Sequence, residues 1–362
     1  MIKSAYIHIP FCRRKCNYCS FVSYDTLTLK NIYIDSLLTE IKSGYKKEPL
    51  DTLYFGGGTP STLSTSDFKQ ILSLLNYSEK TEVTVEINPE NVSKGYLQEL
   101  KELGVNRLSI GVQVFDNAML KSIGRNHCVE DVVKTVKNAK NVGFKNISID
   151  LIYGLPSQNL EIIRQSLNKA FELEVQHVSL YGLKIEEGCH FYNNKPDFLP
   201  DNDEQAQMYT EAIELLSTYG FEHYEISNFA KPGYESRHNL KYWSNQNYYG
   251  FGVAACGYEQ GTRYQNQTSI DKYIQNPNLK LSKEDLSEQE KLEEEIFLGF
   301  RVLKGIDIDS INKKFSIDFD KKYKSIIEKY IATNHLEKTS HGYKLTTNGI
   351  MLSNNVLSDF ID

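Results

Sequence analysis

The chain has 362 residues, a formal net charge of −6 and six cysteines. No apolar run approaches the ~20 residues of a membrane-spanning helix. Lys and Arg are not concentrated on any segment, so we expect neither a membrane-spanning protein nor one that binds nucleic acid. The length predicts two or more domains. Three clustered cysteines and the lack of a signal pattern in residues 1–9 predict a cytoplasmic protein rather than a disulfide-rich secreted one.

The first two hundred residues alternate short apolar runs with amphipathic segments, a pattern that predicts parallel βα units with helices on the outside. The predicted strands are the apolar runs 4–11, 50–57, 81–88, 106–113, 146–154 and 177–183. The predicted helices lie between them, at 30–45, 66–75, 93–103, 117–122, 129–142 and 157–173. Six units are fewer than the eight of a closed barrel, so we predict an open, partial barrel with its site at the carboxyl ends of the strands.

The first predicted strand ends in a cysteine loop, PFCRRKCNYCSF, at residues 10–21. Cys12, Cys16 and Cys19 follow a C-x3-C-x2-C spacing, and thiolates are the usual ligands of iron–sulfur clusters. A cubane held by only three of them leaves one iron with an open position. A structural zinc would need a fourth ligand, and the local candidate, His8, lies in an apolar run that predicts a buried strand. The cysteines could also be small core residues, but a loop rich in Arg, Lys and Asn favours the cluster.

The next predicted strands also end in groups that can bind a ligand. The second ends in GGGTP at residues 56–60, where glycines allow close backbone approach and N–H groups could bind an anion. The third ends with Glu86, a carboxylate suited to accept hydrogen bonds from ribose hydroxyls. The fourth ends with Gln113 and the fifth with Asp150. Each could alone be a tight turn or a solvated tip, but their recurrence at successive strand ends predicts one ligand site.

Several motifs in residues 1–260 resemble the coproporphyrinogen III oxidase-like branch of the radical S-adenosylmethionine (SAM) superfamily. They are YIHIPFC, CNYCSF, FGGGTPS, EINPE, GVQVFD, IGRNH and DLIYGLP. The resemblance implies an α/β fold, a partial (β/α)6 barrel of the TIM type over residues 1–265, in which the three cysteines hold a [4Fe–4S] cluster and SAM chelates the fourth iron. It also implies the residues that line the cofactor site, namely Tyr6, Tyr18, Gly57, Gly58, Thr59, Glu86, Gln113, Arg125 and Asp150. The last three match positions that bind a second SAM in the oxidases.

Within that branch, three features resemble the HemW heme chaperones rather than the oxidases. The oxidases carry another cysteine where this chain has Phe21, and they have a long extension before the cluster loop. The stretch HNLKYW matches the HNxxYW motif linked with heme binding, through His238, Asn239, Tyr242 and Trp243. Imidazole is a common axial ligand of heme iron, and aromatic rings can cover a porphyrin. The surrounding residues predict an irregular loop. The alternative is a structural role, in which the polar pair satisfies buried backbone groups and the aromatics pack in a core.

The composition changes after about residue 265. Residues 266–284 are polar and predict a linker with a short helix. Beyond it, LSEQEKLEEEIFLGFRVL predicts a helix with an acidic first turn, followed by helices at 309–315, 320–334 and 347–361 and a hairpin with Gly342 at its turn. This pattern resembles the small winged-helix-like C-terminal domain of the same family, over residues 285–362. The three glutamates at 293–295 argue against DNA binding, so we interpret the domain as a lid or a substrate-contacting domain.

Three functions are compatible with these residues. The first is a heme chaperone that binds heme, the cluster and SAM and delivers heme to respiratory acceptor proteins. The second is an oxygen-independent coproporphyrinogen III dehydrogenase, and the third is a protein whose cluster is only structural. Phe21, the early position of the loop and HNLKYW favour the first over the second, so we expect no coproporphyrinogen oxidase activity. The complete SAM-contacting set argues against the third. A homodimer and a peripheral membrane contact through acceptor proteins stay open.

Overall fold

The computed structural model describes residues 1–361 except for the side chain of residue 91. Six parallel strands run side by side in chain order, which confirms the predicted partial barrel. They are β1 (Ser4–Ile9), β2 (Thr52–Gly57), β3 (Glu82–Ile87), β4 (Arg107–Gln113), β5 (Asn146–Tyr153) and β6 (His177–Gly182). The first and last of them pair with further strands rather than with each other, so the barrel stays open.

The helices of the βα units begin and end within a few residues of the predicted bounds. They are α1 (Lys30–Gly44), α2 (Thr65–Leu72), α3 (Lys94–Glu102), α4 (Asn117–Ser122), α5 (Val129–Asn141) and α6 (Leu160–Glu172). The local sequence explains where these helices begin and which of their faces is buried. Ser64 and Asp67 form a capping box that starts α2, and α6 buries Ile163, Leu167 and Ala170, which share one face at helical spacing.

The two faces of the barrel strands differ in chemistry. Residues that alternate toward the helices are apolar and fully buried, as Val83 and Val85 are on β3. Residues that alternate toward the barrel interior are mostly polar, as Thr84 and Glu86 are on the same strand. A closed barrel usually fills its interior with branched apolar side chains. Here the interior instead offers hydrogen-bonding groups to the space at its carboxyl end.

Three short strands and three helices complete the barrel. They are α7 (His190–Asn193), α8 (Asn202–Thr218), β7 (Glu222–Glu225), β8 (Asn228–Ala230), α9 (Arg237–Trp243) and β9 (Tyr249–Phe251). The nine-stranded sheet has the order β7-β8-β6-β5-β4-β3-β2-β1-β9, with β9 parallel to β1 and β8 antiparallel to β6.

The irregular loop predicted around HNLKYW is wrong, because these residues form helix α9. The side chain of Ser236 caps the helix by accepting the N–H of Asn239. The carboxylate of Glu82 accepts the N–H groups of Arg237 and His238 at 3.0 and 2.9 Å. A carboxylate at a helix N-terminus satisfies free donors and complements the helix dipole. The helix is therefore stabilised by a residue that lies far away in the sequence.

The polar stretch after residue 265 has more regular structure than a linker. The short helix predicted there is α10 (Ile270–Gln275), but residues 280–285 form a strand. Strands β10 (Cys256–Glu259), β11 (Thr262–Asn266) and β12 (Lys280–Asp285) make an antiparallel sheet. Buried Glu40 of α1 holds this region to the barrel through Lys280, at 2.7 Å, and Tyr273. The domain boundaries at residues 265 and 285 stay a prediction.

The C-terminal region folds as helices around a small antiparallel sheet of order β13-β15-β14. Its elements are α11 (Glu288–Gly299), β13 (Ile306–Asp307), α12 (Ile308–Phe315), α13 (Phe319–Lys322), α14 (Lys324–Ala332), β14 (Leu336–Lys338), β15 (Gly342–Leu345), α15 (Thr347–Met351) and α16 (Ser353–Ser358). The helices predicted at 320–334 and 347–361 are each divided in two. Across residues 1–361, no helix has both the length and the apolar character needed to cross a membrane.

Candidate functional site

A cavity of about 600 Å³ opens at the carboxyl ends of the six parallel strands. This volume lies within the usual range for small-molecule sites. Eleven predicted residues border it together: Cys12, Cys16, Tyr18, Cys19, Gly57, Gly58, Thr59, Glu86, Gln113, Arg125 and Asp150. The remaining predicted SAM residue, Tyr6, lies behind this lining and stacks on Tyr54 with ring centroids 6.2 Å apart. The tertiary structure thus gathers five strand ends around one space.

The three cysteines of the loop face this cavity as free thiols. Burial raises the pKa of the Cys12 and Cys19 thiols, the latter to about 11, which disfavours free thiolates there. The Cys16 sulfur accepts a hydrogen bond from Nη1 of Arg125 at 3.6 Å, and the Cys12 sulfur lies 3.4 Å from Oγ1 of Thr59. Two polar side chains thus contact sulfurs that would carry negative charge as metal ligands, so the donor set fits an iron–sulfur cluster.

A single metal ion fits this loop less well. Within the described part of the chain, no three His, Cys, Asp or Glu side chains converge as ligands of one ion do. A cubane cluster makes a different demand, because each cysteine binds a separate iron. His8 has Nδ1 3.0 Å from the Tyr6 hydroxyl and Nε2 2.9 Å from the carbonyl of Val22. Both ring nitrogens are thus engaged, so His8 supports the loop rather than serving as a fourth zinc ligand. Burial lowers the pKa of His8 to about 4 and keeps the ring neutral.

The glycine-rich turn packs its backbone against the cysteine loop. Gly57 has a φ of +114°, and a Cβ there would lie 2.6 Å from the ring of His8. A Cβ on Gly58 would lie 2.9 Å from the carbonyl oxygen of Phe11, so no side chain fits at either position. The N–H of Gly58 donates to the carbonyl of Ile9 at 2.9 Å. This donor is therefore engaged within the fold, and the turn contributes close approach more than the free N–H groups expected from its sequence.

Arg125 belongs to a hydrogen-bond chain along the cavity wall. Its Nη2 donates to Oδ1 of Asn88 at 2.8 Å, and Nδ2 of Asn88 donates to Oγ1 of Thr59 at 3.1 Å. Since Thr59 contacts Cys12, these hydrogen bonds connect the Arg125 guanidinium at Cys16 with the hydroxyl beside Cys12. Sequence reasoning missed Asn88. It stands two residues after Glu86 in EINPE and so shares its side of the strand, which is the signal that could have found it.

Two carboxylates border the cavity from neighbouring strands. Burial raises the pKa of Glu86 to about 7, while a hydrogen bond donated by the Tyr54 hydroxyl at 2.8 Å acts against this shift. Burial also raises the pKa of Asp150, and hydrogen bonds from Ser179 and Ser109 oppose it. Sequence reasoning missed Tyr54 and Ser109. Both carboxylates keep acceptor capacity toward the cavity, so the site can bind hydroxyl and amino donors.

Gln113 ends β4 in a strained conformation. Its φ of +73° lies in the left-handed region, and the pairing of β4 with β5 shifts between Gly111 and Gln113. Such a bulge redirects a side chain and is common next to functional sites. The side chain of Gln113 thereby joins the cavity lining.

The HNLKYW residues lie on α9 and outside the cavity lining. His238 has no exposed surface, and its Nδ1 and Nε2 lie 2.8 Å from the hydroxyls of Thr52 and Tyr242. Burial lowers the pKa of His238 to about 3. Trp243 packs below the guanidinium of Arg301. In this arrangement both imidazole nitrogens are engaged, with side-chain hydroxyls rather than with the backbone groups of the structural alternative. Heme binding by His238, Asn239, Tyr242 and Trp243 stays a prediction.

Comparison with known proteins decides the family. Residues 6–170 match the family model of the Radical SAM superfamily, and residues 286–352 match that of the HemN C-terminal domain. The chain is 40% identical to the heme chaperone HemW of Lactococcus lactis, over 99% of this chain and 97% of that protein. It is 38% identical to the heme chaperone HemW of Bacillus subtilis, over 99% of each. The chain belongs to the HemW family.

This assignment confirms the resemblance found in the motifs. Among solved structures, the fold is similar to that of coproporphyrinogen III oxidase (HemN) from Escherichia coli, with a TM-score of 0.88 at 22% identity, over 99% of this chain and 90% of that one. At that identity the likeness shows the fold alone. The matched Radical SAM region contains the whole cysteine loop and the predicted carboxylates, whereas HNLKYW lies between the two matched regions. The HemW relatives cover that stretch as well.

Proposed function

We propose that this protein is a cytoplasmic heme chaperone that binds a [4Fe–4S] cluster and SAM in the barrel cavity and delivers heme to respiratory acceptor proteins. The observation that carries the proposal is the full-length similarity to two proteins named heme chaperone HemW. The cavity geometry supports it, because three free cysteines and two carboxylates border one space of suitable volume.

Cys12, Cys16 and Cys19 would hold the cluster. A bound cluster with one open iron would supply the site that chelates SAM and an electron for its reduction. The protein's own part is electrostatic: Nη1 of Arg125 donates to the Cys16 sulfur, and the Thr59 hydroxyl stands beside the Cys12 sulfur. Hydrogen bonds to ligating sulfurs stabilise their negative charge and tune the potential of a cluster.

Glu86 would accept hydrogen bonds from the ribose hydroxyls of SAM. Its carboxylate borders the cavity, and so do Gly57 and Gly58 of the glycine turn beside it. Gln113 and Asp150 are available on the neighbouring strands, whereas Arg125 is already engaged with Asn88 and Cys16. We therefore assign Arg125 to the wall of the site, and binding of a second SAM through these three residues stays a prediction.

The hydrogen bonds of His238 with Thr52 and Tyr242 occupy both nitrogens of its imidazole. Heme iron could therefore bind His238 only after these hydrogen bonds have broken. Helix α9 is one of the shorter helices of the barrel, with seven residues. We propose that heme binding displaces this helix locally and that Tyr242 and Trp243 then pack on the porphyrin.

The test is anaerobic reconstitution of the cluster, followed by separate titrations with heme and with SAM. We expect about four irons per chain, a Soret band that saturates with heme, and saturable SAM binding. The same sample is then mixed with coproporphyrinogen III, SAM and a reductant, and no protoporphyrinogen should form. Its formation at a catalytic rate would favour the dehydrogenase alternative, and absence of saturable heme binding would refute the chaperone proposal.

A further inference from the structure

The helix that carries HNLKYW contacts the wall of the cavity through one buried ring. The imidazole of His238 stacks on the phenol ring of Tyr54, with centroids 5.1 Å apart and 27° between the planes. The Nδ1 of His238 also lies 2.8 Å from Oγ1 of Thr52, so the imidazole is fixed against two residues of β2. Helix α9 therefore touches this strand on the side of the barrel interior.

Tyr54 also belongs to the cavity lining. Its hydroxyl donates a hydrogen bond to Oε1 of Glu86 at 2.8 Å. The space around the pair is full, because a Cβ on Gly56 would lie 3.0 Å from the Tyr54 ring and 3.1 Å from Oε1 of Glu86. In so close a packing, a displaced Tyr54 ring changes the hydrogen bond that orients Glu86.

We propose that Tyr54 positions Glu86 for the ligand of the cavity and couples this carboxylate to His238, so that the HNLKYW helix tunes SAM binding. The inference rests on the proposed function in that SAM is taken as the ligand that Glu86 accepts. A coupling between two sites is reciprocal. Displacement of His238 should therefore weaken SAM binding, and bound SAM should resist displacement of His238.

The ionisation of Glu86 gives this coupling a measurable signature. Ribose hydroxyls donate to the ionised carboxylate, so SAM binding should fall as the pH drops through the pKa of Glu86. Burial raises that pKa to about 7, and the Tyr54 hydrogen bond acts to lower it. Loss of the bond should move the fall in SAM binding to higher pH. The titratable and charged groups that interact with Glu86 are Tyr6, Tyr54, Arg107, Asp150, Tyr181 and Tyr242.

The first experiment compares Tyr54→Phe with wild type after cluster reconstitution. The variant keeps the ring that stacks on His238 and removes the hydroxyl. We expect SAM affinity at neutral pH to fall on the order of 5- to 10-fold, and the midpoint of the pH profile to rise. Tyr96→Phe is the matched control, because the Tyr96 hydroxyl donates at 3.1 Å to the carbonyl of Leu63, outside the cavity lining. Its SAM affinity and pH midpoint should equal those of wild type.

The second experiment tests the link to the helix. His238→Ala removes the ring that supports Tyr54 and should raise the pH midpoint, whereas His238→Phe keeps a stacking ring and should restore it. In the Tyr54→Phe background, His238→Ala should have a smaller effect than in wild type, since the two changes act through one contact. Thermal unfolding of each variant shows which are folded. Where His238→Ala is unfolded, His238→Leu replaces it, because Leu fills much of the space without a ring that can stack on Tyr54 and should raise the pH midpoint in the same way.

The outcomes separate the inference from the proposed function. If wild-type protein with its cluster binds SAM and Tyr54→Phe has the same affinity and pH midpoint, the positioning role is wrong while the proposed function stands. If Tyr54→Phe shifts the profile but both His238 variants match wild type, the coupling to the helix is wrong. If wild-type protein binds no SAM at any pH, the proposed SAM site is wrong and the inference fails with it.

Discussion

Replacing Glu86 by Gln should weaken SAM binding and stabilise the fold at the same time. Gln has nearly the size of Glu and keeps a carbonyl oxygen that can accept the bond from the Tyr54 hydroxyl, but it removes the negative charge. Hydrogen bonds to a charged group contribute roughly 1.5–3 kcal/mol, which corresponds to about one to two decades in affinity. We expect a loss of SAM affinity in that range.

The effect on stability follows from the raised pKa of Glu86, which burial moves from 4.5 to about 7. The folded protein binds the Glu86 proton more tightly than the unfolded chain does. Ionisation of Glu86 therefore lowers the free energy of unfolding, by an amount that grows as the pH rises from about 4.5 to about 7 and is fully present above about pH 7. The difference between the two pKa values corresponds to at most about 3 kcal/mol in the free energy of unfolding. The carboxylate borders the cavity, and screening by solvent reduces the figure. We expect Glu86→Gln to be about 1–2 kcal/mol more stable than wild type near pH 8 and no more stable near pH 4.

The assay is urea unfolding of SAM-free protein at both pH values, followed by circular dichroism, together with calorimetric SAM titration of reconstituted protein. Glu187→Gln is the matched control, because Glu187 is exposed and lies outside the cavity lining. A variant less stable than wild type near pH 8 would refute the reasoning, since it would mean that the surrounding groups favour the ionised form more than burial disfavours it. Unchanged SAM affinity would assign Glu86 to another role.

Three further predictions follow from the same geometry. Replacing the three cysteines of the loop together by Ala should abolish iron binding, measured by iron content and visible absorption, while circular dichroism shows an intact barrel; a full cluster in this variant would refute the ligand assignment. His238→Ala should shift or abolish the Soret band of bound heme without changing the cluster absorption, whereas His341→Ala, at an exposed position, should leave the Soret band unchanged; an unaltered heme spectrum in His238→Ala would return HNLKYW to a structural role. Glu40→Gln should lower the free energy of unfolding by roughly 3 kcal/mol, measured by urea unfolding, because Glu40 is the buried partner of Lys280; an equally stable variant would contradict that account.

The sequence by itself determined the barrel and the main ligand-binding groups at the ends of its strands. Alternating apolar runs and amphipathic segments are local patterns, so they located all six parallel strands and the helices between them. The cysteine spacing and the polar strand ends are local as well. Once the strands are parallel and in chain order, their carboxyl ends must meet at one edge, and Glu86, Gln113 and Asp150 come together there for that reason.

Only the tertiary structure decided the features that depend on distant partners. Helix α9 begins where the carboxylate of Glu82 accepts two of its N–H groups, and no local pattern near HNLKYW contains that acceptor. Strand β12 exists because it pairs with β11, although its own residues are mostly exposed and polar.

The contact between His238 and Tyr54 joins residues that are far apart in the chain and whose sequence contexts suggest a loop and a strand. A polar side chain has the same local signal whether it lies in solvent or inside a barrel. Its burial, its partners and its pKa are set by the surrounding fold, which is why the sequence indicated the ligand groups but not the ring that connects them to HNLKYW.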